Sequence, residues 1–320
     1  MLNTLLLLLG IALLTCGGEA LIRGSLAASR RLGVSPLLSG LVIVGFGTSA
    51  PELVVSVDAA VNGRPDIAIG NVVGSNIGNI LLILGVCSLI TPLKVKPLAL
   101  RRDAVTVVAA SILFLLLAGG SALGRGDSVL LLFALAAYLL LAYWSEQLHT
   151  APSGELHQAE SEELSVVPKS VLWTVVAVVV GLLLLVSGSQ ILLTGAVGIA
   201  EHFGVSEAVI GLTLVAVGTS LPELSISLIA AIRRHADVAV GNILGSNIFN
   251  LLGILGASAL LQPLLVHPRI LQFDQWVMLG ASLVLLLFLY TGRRLSRLEG
   301  GILLSGYGIY AWLSFAVFGS

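Results

Sequence analysis

Apolar runs close to the length a helix needs to cross a bilayer recur from one end of this chain to the other, separated by short polar breaks. Ten segments can be drawn, near 3–22, 37–60, 67–90, 104–118, 128–144, 172–194, 207–231, 238–260, 275–291 and 301–318. Outer-membrane strands would instead read as short alternating segments. The pattern predicts an all-α membrane protein with ten transmembrane helices. One long polar stretch, SEQLHTAPSGELHQAESEELSVVPKS at 145–170, carries five glutamates and reads as a flexible acidic linker. The chain thus divides into a five-helix block at 1–144, the linker at 145–170 and a second five-helix block at 171–320. The opening MLNTLLLLLGIALLTC lacks the basic residues that begin a signal peptide. It also has an internal counterpart at 171–192, so it is read as the first transmembrane helix.

Composition supports this class. Hydrophobic residues make up 57% of the chain and charged residues 10%, against about 25% charged in soluble domains. A net charge of −1 offers no basic surface to nucleic acid, and nothing signals an obligate protein partner. Cys16 and Cys87 both fall in apolar segments. Two cysteines make neither a zinc pattern nor a disulfide framework, and both are read as packing.

The two blocks are copies. GNVVGSNIGN at 70–79 returns as GNILGSNIFN at 241–250, an offset of 171 residues, and GTSAPEL at 47–53 returns as GTSLPEL at 218–224. At that offset 25 of the 46 positions between 40 and 85 are identical without a gap. Internal symmetry of this kind marks transporter folds. Five helices per copy is an odd number, so the second copy would enter the membrane upside down. With the N-terminus outside, 13 of the 16 Lys and Arg fall in cytoplasmic loops, as the positive-inside rule requires. Loop charges swap between the copies while the helices match: Arg30 and Arg31 become Glu201 and His202, and Asn62 and Gly63 become Arg233 and Arg234. The expectation is two inverted-topology five-helix repeats with both termini extracellular or periplasmic and 145–170 cytoplasmic. The expected location is a prokaryotic plasma membrane.

Candidate chemistry lies where the copies agree. Glu52 and Glu223 fall deep in the second and seventh segments, where a carboxylate costs at least a few kcal/mol. No Lys or Arg lies in any segment to neutralise them. Pro51 and Pro222 lack an N–H and should break these helices, freeing carbonyls. Thr48 and Glu52 are i, i+4 neighbours, as are Thr219 and Glu223, and Ser49 and Ser220 add further oxygens. Ser75, Asn76 and Asn79, with Ser246, Asn247 and Asn250, supply hydroxyl and amide oxygens without added charge. Carboxylate, hydroxyl and carbonyl oxygens together suit hard cations such as Ca²⁺ and Na⁺. The absence of His and thiolate from these segments argues against zinc or copper. A hydrolase using Ser75 or Ser246 would need a base, usually His, and all five histidines map to loops. The chain is therefore read as a transporter, not an enzyme. It has no resident cofactor, and its partners are inorganic cations and the lipid bilayer. A channel on this site would pass ions without a counter-ion.

GTSxPE followed by GNxxGSNxxN, twice, resembles the repeats of the cation/calcium exchanger family, in its prokaryotic sodium/calcium antiporter branch. The resemblance implies Na⁺/Ca²⁺ exchange by alternating access, with H⁺/Ca²⁺ exchange as the alternative on the same fold. It implies a Ca²⁺ site at Glu52, Glu223, Thr48 and Thr219. Sodium would use the same four with Ser49, Ser75, Ser220 and Ser246 and the carbonyls of Gly45 and Ala216, and Asn79 and Asn250 would line the centre. Relatives that carry Asp at the position of Asn250 have a titratable group this chain lacks.

Overall fold

The structure, a computed structural model, describes residues 2–33, 36–94, 97–148, 170–202, 218–292 and 294–318. Its helices are α1 (Leu2–Leu32), α2 (Gly40–Thr48), α3 (Ala50–Val61), α4 (Pro65–Ile90), α5 (Pro97–Ala118), α6 (Arg125–Leu148), α7 (Val171–His202), α8 (Leu221–Ile232), α9 (Ala236–Leu261), α10 (Ile270–Gly292) and α11 (Arg297–Phe318). Four two-residue strands, β1 (Leu93–Lys94), β2 (Ala122–Leu123), β3 (Leu264–Leu265) and β4 (Arg294–Leu295), form two antiparallel ribbons. β1 pairs with β4 and β2 with β3, so each ribbon ties the first copy to the second.

Among the described residues six helices are long and apolar enough to cross a membrane: α1, α4, α6, α7, α9 and α10. The pair α2–α3, bent by 47°, makes a seventh. Among the described residues there are thus six or seven candidate spans, and three of the ten expected segments are not among them. Segment 104–118 lies in α5, whose early turns carry Arg101, Arg102 and Asp103. Segment 207–231 is described only from 218 on, where α8 has 12 residues. Segment 301–318 lies in α11. Of the linker expected at 145–170, residues 145–148 complete α6 and 149–169 lie outside the described residues.

α4 and α9 form the centre. Of α9's apolar span 94% is buried inside the protein and of α4's 67%, against 22% for α6. An interior helix of this kind need not be amphipathic, which is how both can present asparagine and serine inward. Asp66 and Asp237 stand in their first turns, where a carboxylate complements the helix dipole. Both helices contain a π-helical stretch at matching places, Asn79–Leu84 and Phe249–Ile254. Such stretches shift the facing of the residues at which they begin.

α1 and α7 lie antiparallel along a glycine seam. Gly10, Gly17 and Gly24 on α1 face Leu192, Gly181 and Val178 on α7, while Gly181, Gly188 and Gly195 face α1 in return. Seven-residue spacing keeps each set on one face. A Cβ at Gly17 would stand 2.9 Å from the Gly181 carbonyl oxygen, so the two backbones touch.

α3 and α8 end alike. The N–H of Arg64 bonds Ala59 O at 2.8 Å and that of Gly63 bonds Ala60 O at 3.1 Å; His235 to Ala230 and Arg234 to Ala231 repeat this at 2.8 and 3.1 Å. This is the Schellman closure, which needs a left-handed residue. Gly63 supplies it at φ 69° and Arg234 at φ 62°.

Candidate cation site

The helix breaks expected from Pro51 and Pro222 fall at Ser49 (φ −80°, ψ 9°) and Ser220 (φ −89°, ψ 9°). Each proline occupies the first turn of the helix that follows, where its missing N–H is harmless. The break puts Glu52 and Glu223 in the opening turns of α3 and α8, both fully buried.

The two halves interlock at these carboxylates. Ser49 Oγ donates to Glu223 Oε1 at 3.0 Å, and Ser220 Oγ donates to Glu52 Oε1 at 3.2 Å. Ser220 also reaches Ser75 Oγ at 3.4 Å, and Ser246 Oγ lies 3.5 Å from Glu223 Oε1. Ser246 donates to the Gly45 carbonyl at 2.9 Å. Glu52 Oε2 and Glu223 Oε2 are buried without a hydrogen-bond partner, as is Thr219 Oγ1. Thr48 Oγ1 donates to Asn242 Oδ1 at 3.1 Å and lies 3.3 Å from the Gly45 carbonyl. Ala216, the expected counterpart of Gly45, lies outside the described residues.

Four asparagines close the centre. Asn76 Nδ2 donates to the Asn247 carbonyl and Asn247 Nδ2 to the Asn76 carbonyl, both at 3.3 Å. Asn79 Nδ2 donates to Asn247 Oδ1 at 2.9 Å, and Asn250 Nδ2 to Asn76 Oδ1 at 3.1 Å. These donations leave Asn79 Oδ1 and Asn250 Oδ1 buried and unpartnered. Buried polar atoms are nearly always satisfied. Among the described residues, five orphan oxygens fall in the two repeated motifs: two carboxylate, two amide and one hydroxyl. Oxygen-only donor sets of mixed charge fit hard cations. No group of three or more His, Cys, Asp or Glu placed to hold a metal occurs among the described residues.

Two pairs escaped the sequence reading. Asn71 Nδ2 donates to the Glu52 carbonyl at 3.2 Å and to Ser56 Oγ at 2.9 Å. Asn242 Nδ2 donates to the Glu223 carbonyl at 3.2 Å and to Ser227 Oγ at 2.8 Å. The available signal was their identity in both copies at the same offset. Glu19 lies within α1 and pairs with Arg23 at 2.7 Å and Arg233 at 3.3 Å. Of the repeated glycines, Gly245 is closely packed, since a Cβ there would meet the Leu41 backbone, whereas at Gly70 and Gly74 a Cβ would meet nothing within 4 Å.

On one side the site opens to a cleft lined by Gly74, Ser75, Gly78, Leu82, Ser220 and Tyr307, among others. The corresponding place in the second copy is filled. Phe249 stands where the first copy has Gly78, stacks on Phe46 at 4.5 Å between ring centroids, and presses with Leu135 against Gly253.

A helical membrane bundle lined at its centre by orphan oxygen donors belongs with the membrane ion transporters rather than the enzymes. Comparison with known proteins narrows the class. The family described as "Sodium/calcium exchanger protein" matches residues 2–144 and 173–316. CaxA of Alkalimonas amylolytica is 40% identical over 318 residues, covering 98% of each chain. The sodium/calcium exchanger MaX1 of Methanosarcina acetivorans is 32% identical over 342 residues, covering 95% of this chain and 96% of its own. The solved structure of the sodium-calcium exchanger NCX_Mj, soaked with zero Na⁺ and Ca²⁺, superposes with a TM-score of 0.83 at 31% identity, covering 98% of this chain and 99% of that one. The chain belongs to the sodium/calcium exchanger family.

Proposed function

We propose that the protein exchanges Ca²⁺ for Na⁺ across a prokaryotic plasma membrane by alternating access. Its single midplane site is built by two inverted five-helix repeats, 1–144 and 171–320, joined by a cytoplasmic linker at 145–170, ten spans in all with both termini outside. One observation carries this reading. Each buried carboxylate is held by a serine from the opposite copy while its second oxygen has no protein partner. Two such oxygens bring two negative charges to one pocket, which a divalent cation balances. Glu52, Glu223, Thr48 and Thr219 hold Ca²⁺. Ser49, Ser75, Ser220 and Ser246, with the same four and the carbonyls of Gly45 and Ala216, hold sodium. Asn79, Asn250, Asn76 and Asn247 line the centre. Ions that share oxygens exclude one another, and an empty pocket leaves two carboxylates uncompensated, so crossing empty is slow. α1 and α7 are the elements that slide against this core. The similar proteins MaX1 and NCX_Mj are sodium/calcium exchangers, which supports the same pair of ions.

The test is Ca²⁺ uptake into vesicles driven by an imposed sodium gradient with proton gradients collapsed. Uptake is expected, and Glu52→Gln or Glu223→Gln abolishes it, because one charge no longer balances a divalent ion. Near-normal exchange by either variant overturns the site. Uptake that follows a proton gradient and ignores sodium assigns the counter-ion as H⁺.

A further inference from the structure

Resting on the assignment of Thr48 as a ligand, we infer that Asn242 is a positioning residue that turns the Thr48 hydroxyl proton away from the cation. Asn242 is fully buried on α9. Its amide nitrogen has two commitments, the Glu223 carbonyl at 3.2 Å and Ser227 Oγ at 2.8 Å. The bond to the Glu223 carbonyl fixes which way the amide faces, since a carbonyl can only accept, and Ser227 Oγ holds the amide in that orientation. The amide oxygen is thereby left to accept the Thr48 hydroxyl at 3.1 Å.

A threonine hydroxyl has one proton and two lone pairs. A cation is ligated by lone pairs and repelled by the proton. A second acceptor bonded to Thr48, the Gly45 carbonyl, is farther at 3.3 Å and already receives Ser246 Oγ at 2.9 Å and the Ser49 N–H at 3.3 Å. Asn242 therefore takes the proton, and the lone pairs of Thr48 remain for the ion. The same amide joins a ligand of the first copy to the carboxylate helix of the second. Asn71, the counterpart on α4, makes the matching bonds to the Glu52 carbonyl and Ser56.

The experiment is calorimetric Ca²⁺ binding to the purified full-length chain in a double-mutant cycle of Thr48→Val and Asn242→Leu. Loss of one buried hydrogen bond or ligand is expected to weaken Ca²⁺ about tenfold in each single variant. The double variant is expected to be no more than about tenfold weaker, because Asn242 acts through Thr48. An additive loss of about a hundredfold overturns the inference, as does unchanged Ca²⁺ affinity in Asn242→Leu accompanied only by a lower unfolding midpoint. Unchanged affinity in Thr48→Val sinks the ligand assignment itself and the inference with it. If Asn242→Leu does not fold, Ser227→Ala removes one of the two bonds that orient the amide. It is expected to weaken Ca²⁺ about threefold, and unchanged affinity there also overturns the inference.

Discussion

Asn79 and Asn250 each spend a donor on the opposite copy and keep a buried oxygen with no partner. An unpaired buried acceptor costs about 1–3 kcal/mol, so an occupant that satisfies both oxygens recovers that cost when it binds. Asn79→Ala or Asn250→Ala should therefore raise the sodium concentration for half-maximal exchange several-fold while changing protein yield little. Sodium titration of vesicle uptake measures the first and purification the second; lost yield with unchanged sodium dependence would make these amides structural only. At this scale the candidate site was legible because carboxylate, hydroxyl and amide side chains are costly in apolar segments and recur at one offset. Asn71 and Asn242 were equally repeated. They were passed over because their amides serve a neighbouring helix's backbone, a partner that spacing within one helix does not reveal.

Helices were legible as apolar runs, and their breaks as prolines. The start of α5 was less plain, since Arg101, Arg102 and Asp103 stand in its early turns without ending the helix. The π-helical stretches were invisible, because one extra residue per turn leaves no mark in composition. The seam between α1 and α7 lies between these cases: its glycines are visible at seven-residue spacing, but only the fold shows both sets facing each other. Gly17→Leu should overpack that seam at a cost of about 1–3 kcal/mol, lowering the unfolding midpoint in detergent and slowing exchange. Gly126→Ala, where an added Cβ meets nothing within 4 Å, should leave both unchanged or raise the midpoint, since alanine is the better helix former by about 1 kcal/mol. Equal effects of the two would mean that the close approach of α1 and α7 is not required.

Across the whole molecule the repeat is close but not complete, and one departure lies beside the site. The first copy has Gly78 where the second has Phe249, and Leu82 where the second has Gly253. On the second copy's side the Phe249 ring, stacked on Phe46, occupies the space against Gly253. On the first copy's side the same space is the cleft that reaches Ser75 and Ser220, and Ser220 holds Glu52. Among the described residues, the first copy's side thus offers an approach to the centre at a place that the second copy's side fills. Filling that approach tests whether ions use it. Gly78→Phe copies into the first half the residue the second already carries, and a Cβ at Gly78 meets nothing within 4 Å, so folding should tolerate it. Sodium-driven Ca²⁺ uptake should fall at least about tenfold, the effect of about 1.4 kcal/mol on the barrier, with the unfolding midpoint held. Uptake at the original rate would mean that ions reach Glu52 by another path and that the glycine–phenylalanine difference serves packing alone.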